Sequence, residues 1–151
     1  MINTERMNKT FISNSPEETA EIAKSIALDA QKIGVVCLTG PLGSGKTQFT
    51  RGIVEMLCPE CLSLVHSPTF AIVNEYIGDK TSVFHFDFYR LKSPDDLYST
   101  GFYDYEGRNG VVVAEWGELF LDSLPENSLL VSIAPEGGDK RLITLRYGIR
   151  G

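Results

Sequence analysis

Cysteine and histidine are scarce in this chain, with three of the first and two of the second in 151 residues. Cys37, Cys58 and Cys61 cannot build a framework of several disulfides, which excludes the small cross-linked secreted scaffolds. Cys58-Pro59-Glu60-Cys61 has the spacing of a redox or metal pair. It falls at the end of a helix, however, not at the start where a thiolate is activated. Neither a second pair nor a neighbouring histidine completes a zinc site, so the two read as incidental thiols. Positive charge is also short: 14 basic against 20 acidic residues, net −6. Affinity for a nucleic-acid backbone needs concentrated Lys and Arg, so any RNA target is held by a partner. No apolar run approaches membrane-spanning length. Met1 to Arg6 carry no apolar signal core, so a cytoplasmic protein with no membrane partner is expected. Hydrophobic residues at 42% and charged residues at 23% are ordinary for a globular protein. The length suits a single domain over residues 1–151.

The strongest signal is Gly40-Pro41-Leu42-Gly43-Ser44-Gly45-Lys46-Thr47, which fits Gly-x4-Gly-Lys-[Ser/Thr], the P-loop pattern. Val35-Val36-Cys37-Leu38-Thr39 before it reads as a buried strand. After it, Phe49, Ile53 and Leu57 recur at helical spacing. Strand, glycine loop and helix are the context the motif requires. Gly43 and Gly45 can take backbone angles closed to other residues. Loop amides and the first helical turn then converge on an anion. Lys46 would bridge the β- and γ-phosphates of a nucleotide, and the Thr47 hydroxyl would serve Mg2+. The plainer alternative is a glycine turn ahead of an ordinary helix.

Elsewhere the chain alternates helix and strand signals. Lys9 to Ser13 suits a first strand. Ser15-Pro16-Glu17-Glu18 is a helix start with N-cap, first-position proline and capping box. Ala23, Ile26, Ala27, Ala30 and Ile33 form its apolar face, and Gly34 suits its C-cap. Ala71 to Ile77 and Ser82 to Phe86 read as a hairpin turning at Gly78-Asp79. Ser93 starts a short helix that Gly101 ends. Tyr103 to Gly110 is expected to be a loop. Val111 to Ala114 is a second buried strand. Leu129 to Ile133 and Leu142 to Tyr147 form a terminal antiparallel hairpin across Gly137-Gly138-Asp139. The expected architecture is α/β, a three-layer P-loop NTPase-like fold with a mixed, mainly parallel central sheet and antiparallel edge hairpins.

A P-loop alone binds phosphate; hydrolysis needs metal placement, an oriented water and an element that senses the γ-phosphate. Glu115, at the end of Val111 to Ala114, has the place of a Walker B acid and can hold Mg2+ directly or through water. Asp87 ends Val83 to Phe86. It can bind the metal, polarise the attacking water, or simply pair with Arg90. Both acids sit at the carboxyl ends of strands, the edge where ligands of open α/β sheets gather. Thr69, in Ser67-Pro68-Thr69-Phe70, has the chain position of a switch-loop threonine; a plain loop is the alternative. His66 and His85 read as structural. Trp116 reads as core or as a wall near the nucleotide, with core favoured. Arg90, Arg141 and Arg146 are candidate phosphate clamps. Phe84, Phe86 and Phe88 share one strand face. Phe102 to Tyr105 suggests either core or a docking patch.

Taken together, these motifs resemble one family, the small bacterial P-loop ATPases called TsaE (YjeE). The residues that carry the resemblance are Ser15 to Thr19, Gly40 to Thr47 with Arg51-Gly52, and Ser67 to Phe70 followed by Tyr76. They continue through His85-Phe86-Asp87-Phe88-Tyr89-Arg90-Leu91, Glu115-Trp116, Leu124-Pro125 and Arg141. The resemblance implies a protein that binds ATP or ADP with Mg2+ and hydrolyses ATP slowly. It implies the partners TsaD and TsaB, which transfer threonylcarbamoyl to adenosine 37 of tRNAs reading codons that begin with A. The tRNA is then reached only indirectly, and a homodimer stays open. For sites, it implies phosphate contacts from Leu42, Gly43, Ser44, Gly45, Lys46 and Thr47, with Gln48 standing where the family commonly has Thr or Ser. Thr47 and Glu115 serve Mg2+. Asp87, Thr69 and Glu115 are the catalytic set. Pro16, Trp116 and Arg141 lie against the nucleotide. Two other classes remain: a small-molecule kinase, against which the missing arginine-bearing insert counts, and a nucleotide-gated binding module.

Overall fold

The caps read from the sequence set the first helix, α1 (Pro16–Ile33). The Ser15 hydroxyl accepts the Glu18 amide hydrogen at 3.1 Å, and the Glu18 carboxylate accepts from the Asn14 amide at 2.6 Å. These bonds satisfy N–H groups that a helix start leaves open. Gly34 ends the helix at φ 98° and donates its N–H to the Ala30 carbonyl, the left-handed ending that glycine adopts without a Cβ penalty. The second helix, α2 (Lys46–Leu57), buries Phe49, Ile53 and Leu57, the spaced apolar face. It crosses α1 closely at Gly52, where an added Cβ would lie 2.2 Å from the Ala20 carbonyl oxygen and 2.6 Å from the Ala23 Cβ. The computed structural model describes residues 8–66, 68, 72–105 and 107–149.

Among the described residues, β1 (Lys9–Ser13), β2 (Val35–Thr39), β3 (Val73–Tyr76), β4 (Ser82–Asp87), β5 (Gly110–Glu115), β6 (Leu129–Gly137) and β7 (Lys140–Tyr147) form one sheet. Their order is β1-β7-β6-β2-β5-β4-β3. Strands β6, β2, β5 and β4 run parallel, while β3 adds antiparallel to β4, β7 to β6 and β1 to β7. The parallel character is therefore confined to the four central strands. The terminal hairpin is also less of an edge than its alternation suggests. Its first strand pairs in parallel with β2, and β1, from the far end of the chain, covers its second.

Other local expectations need correction. The hairpin between β3 and β4 turns over residues 77–81, not over two residues. The start of the expected loop at Tyr103 to Gly110 belongs to a one-turn helix, α4 (Phe102–Tyr105), which follows α3 (Pro94–Ser99). The reason is packing: the Phe102 ring is fully buried edge-on to Phe86 and Phe88, 5.5 Å from each, and Tyr105 lies 4.9 Å from Phe84. That removes most of the suggested docking patch, leaving Tyr98 and Tyr103 exposed.

The sheet is covered on both faces. Helices α1 and α2 pack on Val36, Leu38, Val111, Val113 and Val131. The other face, with Val35, Cys37, Val112, Ala114 and the phenylalanines of β4, is closed by Leu97 of α3, Phe102 of α4 and Phe120. The period of two along each strand sends neighbours to opposite faces. Because β2, β5 and β4 are parallel, Thr39, Glu115 and Asp87 end at one edge of the sheet.

Candidate functional site

At that edge the chain leaves β2 into the glycine loop. Gly40, Gly43 and Gly45 take φ 150°, 76° and 106°, in the positive range that side chains disfavour. At Gly43 and Gly45 an added Cβ would meet nothing within 4 Å, so backbone angle, not space, calls for glycine there. Gly40 is also cramped: its Cβ would lie 2.6 Å from both the Ile133 carbonyl oxygen and the Ser44 hydroxyl. Gly45 is the N-cap of α2 and brings no side chain to its first-turn amides. The Ser44 hydroxyl is buried without a partner.

Lys46 opens α2 with a side chain only 6% exposed. Its ammonium donates to the Gly40 carbonyl at 2.7 Å, sits 4.2 Å from the centre of the Trp116 ring and lies 3.9 Å from Glu115 Oε1. Glu115 is 5% exposed, and its Oε2 is hydrogen-bonded to His85 Nε2. Burying such charges is tolerable only because each has partners. Leu42 to Gln48, Pro16, Glu115 and Arg141 line one cavity of about 330 Å3. The Arg141 guanidinium holds the loop from outside. Its Nε donates to the Ser44 carbonyl at 2.8 Å and its Nη2 to the Gly43 carbonyl at 3.2 Å, while Nη1 bonds the carbonyls of Gly138 and Lys140.

Asp87 stands in register with Glu115 on the neighbouring strand. It is half-buried, and its Oδ1 accepts the Tyr89 amide hydrogen at 2.9 Å. The Tyr89 ring packs 5.0 Å from Trp116, the ring that Lys46 faces. Trp116 is the only described non-glycine residue with positive φ, at 62°. A left-handed tryptophan costs on the order of 1–2 kcal/mol, and here the turn lays the ring beside Lys46. Trp116 thus borders Lys46 and also packs, partly buried, against the core cluster of Phe84, Phe86 and Phe88, so it shares features of both readings from the sequence. The turn continues into Gly117, where a Cβ would lie 2.6 Å from Cys37 Sγ. Next, Glu118 has a buried Oε1 without a partner, and burial raises its carboxyl above the usual range against the pull of Lys46. Burial likewise pushes the Cys37 and Cys58 thiols up to about 12, which keeps them as inert thiols.

Thr69 lies outside the described residues. So do Ser67 and Phe70. His85, read as structural from the sequence, is fully buried and bonded to Glu115. The signal was present in strand alternation, since His85 and Asp87 share the face of β4 opposite its phenylalanines. What was missing was the parallel register that sets Val113 beside His85 and brings Glu115 to it. No group of three or more His, Cys, Asp or Glu side chains converges among the described residues. None of their helices is long and apolar enough to cross a membrane.

A family model described as "Threonylcarbamoyl adenosine biosynthesis protein TsaE" matches residues 13–143. The tRNA threonylcarbamoyladenosine biosynthesis protein TsaE of Bacillus subtilis is 39% identical over 130 residues, 86% of this chain and 80% of that protein. Its counterpart from Rickettsia conorii is 37% identical over 133 residues, 87% of this chain and 74% of that protein. A crystal structure of Bacillus subtilis YdiB superposes with a TM-score of 0.70 at 32% identity, covering 95% of this chain and 88% of that one. The matched span contains the glycine loop, Lys46, Asp87, Glu115 and Arg141. The chain belongs to the TsaE family of tRNA threonylcarbamoyladenosine biosynthesis proteins.

Proposed function

We propose that residues 1–151 act as one P-loop NTPase-like domain, a cytoplasmic, Mg2+-dependent ATP-binding and slowly ATP-hydrolysing subunit. It serves threonylcarbamoyl modification of adenosine 37 through the partners TsaD and TsaB, and reaches tRNA only through them. The observation that carries this reading is the buried Lys46 ammonium, held between the Gly40 carbonyl, the Trp116 ring and Glu115 beside a loop of positive-φ glycines. A site of that kind suits a phosphate chain: the cation and uncapped helix amides attract it, and the partnerless Ser44 hydroxyl supplies one more polar group. The cavity of about 330 Å3 is in the range of small-molecule sites.

In this reading Leu42 to Thr47 cradle the phosphates, and Gln48, Pro16 and Arg141 border the nucleotide. Lys46 exchanges the Gly40 carbonyl for phosphate oxygens. Thr47 and Glu115 serve Mg2+, which in this ligand class takes few protein carboxylates and completes its shell with phosphate and water. Bound there, Mg2+ would neutralise charge on the phosphates. Asp87 orients water at the γ-phosphate edge, Thr69 belongs to the segment that senses it, and Trp116 excludes bulk water from Lys46.

The test is phosphate release by purified protein with Mg-ATP, with and without the TsaD and TsaB pair. Slow release that rises with the partners is expected. No ATP binding by the wild-type chain, or the same rate in Lys46→Ala, would overturn the reading. A phosphorylated acceptor would replace it with a kinase.

A further inference from the structure

His85 is fully buried, yet it stands on the strand face that carries Glu115 and not among the phenylalanines. Glu115 lies two residues beyond Val113, the register partner of His85, and its Oε2 meets His85 Nε2. His85 Nδ1 lies 3.4 Å from the Tyr76 hydroxyl. That hydroxyl donates to the His66 carbonyl at 3.1 Å and accepts from the His66 amide at 3.3 Å and from Asn74 Nδ2 at 3.5 Å. A line of contacts therefore runs from Lys46 through Glu115, His85 and Tyr76 to both backbone groups of His66. His66 directly precedes the segment that contains Ser67 and Thr69.

A glutamate carboxylate turns freely about its last torsion unless something fixes it. Here Oε2 is committed to His85, and Oε1 is the oxygen that faces Lys46. We propose that His85 and Tyr76 are positioning residues. His85 fixes which Glu115 oxygen is presented to the phosphate cavity, and Tyr76 ties that setting to the backbone at His66. The inference rests on the nucleotide reading given above. Partners of this kind, one step behind a working side chain, commonly matter as much as the side chain's own identity, because they remove its freedom to point elsewhere.

The test uses the full chain, with the thermal midpoint, the Kd for ATP without Mg2+ and kcat with Mg-ATP measured on each variant. His85→Leu is expected to lower kcat by roughly 10- to 100-fold while the Mg2+-free Kd stays within about twofold. His85→Gln, whose amide can still donate to the carboxylate, is expected to recover most of that loss. Tyr76→Phe keeps the ring and removes only the hydroxyl, and is expected to lower kcat by about threefold or more. A kcat within about twofold of wild type in folded His85→Leu and Tyr76→Phe, or no rescue by His85→Gln, overturns the inference. If His85→Leu does not fold, Tyr76→Phe decides by the same criterion. Wild-type protein that fails to bind ATP overturns the nucleotide reading and this inference together. Wild-type turnover with unaffected variants overturns this inference alone.

Discussion

Strand β4 buries its two faces by different means. Phe84 and Phe86, with Phe88 just past the strand's end, point to one side, where Phe86 alone meets Phe88 at 5.8 Å, Phe102 at 5.5 Å and Tyr105 at 5.1 Å between ring centres. His85 points to the other side and is just as buried, but its neighbours are a carboxylate and a hydroxyl. The aromatic face is held by apolar area, which any ring of similar size can supply. On the other face Val83 joins the hydrophobic core, while His85 is held by hydrogen-bond partners, each of which must be present and correctly placed. The first face fills the core on that side of the sheet. The second brings His85 to the Glu115 carboxylate. A substitution on one face should therefore read out as stability, and on the other as turnover.

The largest effect expected is on the aromatic face. Phe86→Ala removes a fully buried ring and should cost about 3–5 kcal/mol in urea unfolding. The ATP Kd of the folded fraction should change by less than about twofold. A larger loss of affinity would mean that the two faces are not separable. Lys46→Ala is the converse: ATP turnover should fall at least about 100-fold, with a smaller shift in the urea midpoint than Phe86→Ala gives. An unchanged phosphate-release rate would remove the site from this edge of the sheet. Gly52→Ala separates packing from chemistry on helix α2, where it crosses α1. The new methyl would press on the Ala20 carbonyl, 2.2 Å away, and overpacking of this kind costs about 1–3 kcal/mol. Because α2 also carries Lys46, the comparison holds only if turnover per folded molecule is preserved.

What could be read ahead of the structure was local. The glycine loop, the caps at Ser15 and Gly34, the helix start at Ser93 and the strand before Glu115 each depend on residues within a few positions of one another, and each stands where its chemistry requires. The rest depended on contacts across the chain. His85 meets Glu115 thirty positions away, and only the parallel register of β4 on β5 brings them together. Arg141 grips the carbonyl of Ser44 from 97 positions downstream, through the insertion of β6 between β2 and β7. The turn at Trp116 follows from a backbone angle that no composition rule anticipates for tryptophan. The helix at Phe102 won over a polar, glycine-bearing sequence because a buried ring outweighed weak local propensity.

The smallest effect is expected at the rim of the site, at Glu118 in the turn after Trp116. Its carboxyl is partly buried, Oε1 has no partner, and burial raises it above its ordinary value of 4.5 while the Lys46 charge pulls it down. A carboxyl whose proton is held more tightly in the folded chain than in the unfolded one makes the folded state bind more protons between the two values. Stability then falls as pH rises through that window, and the contribution is complete only below the unfolded value. Glu118→Gln carries no such proton, so its urea midpoint should decline less than that of the wild type as pH rises from just below 4.5 towards neutrality. Lys46→Ala should deepen the decline, since the opposing charge is gone, whereas Phe86→Ala should lower the midpoint alike at every pH. A Glu118→Gln profile parallel to the wild type would mean that the carboxyl is solvated in both states, and that Lys46 does not act on this rim.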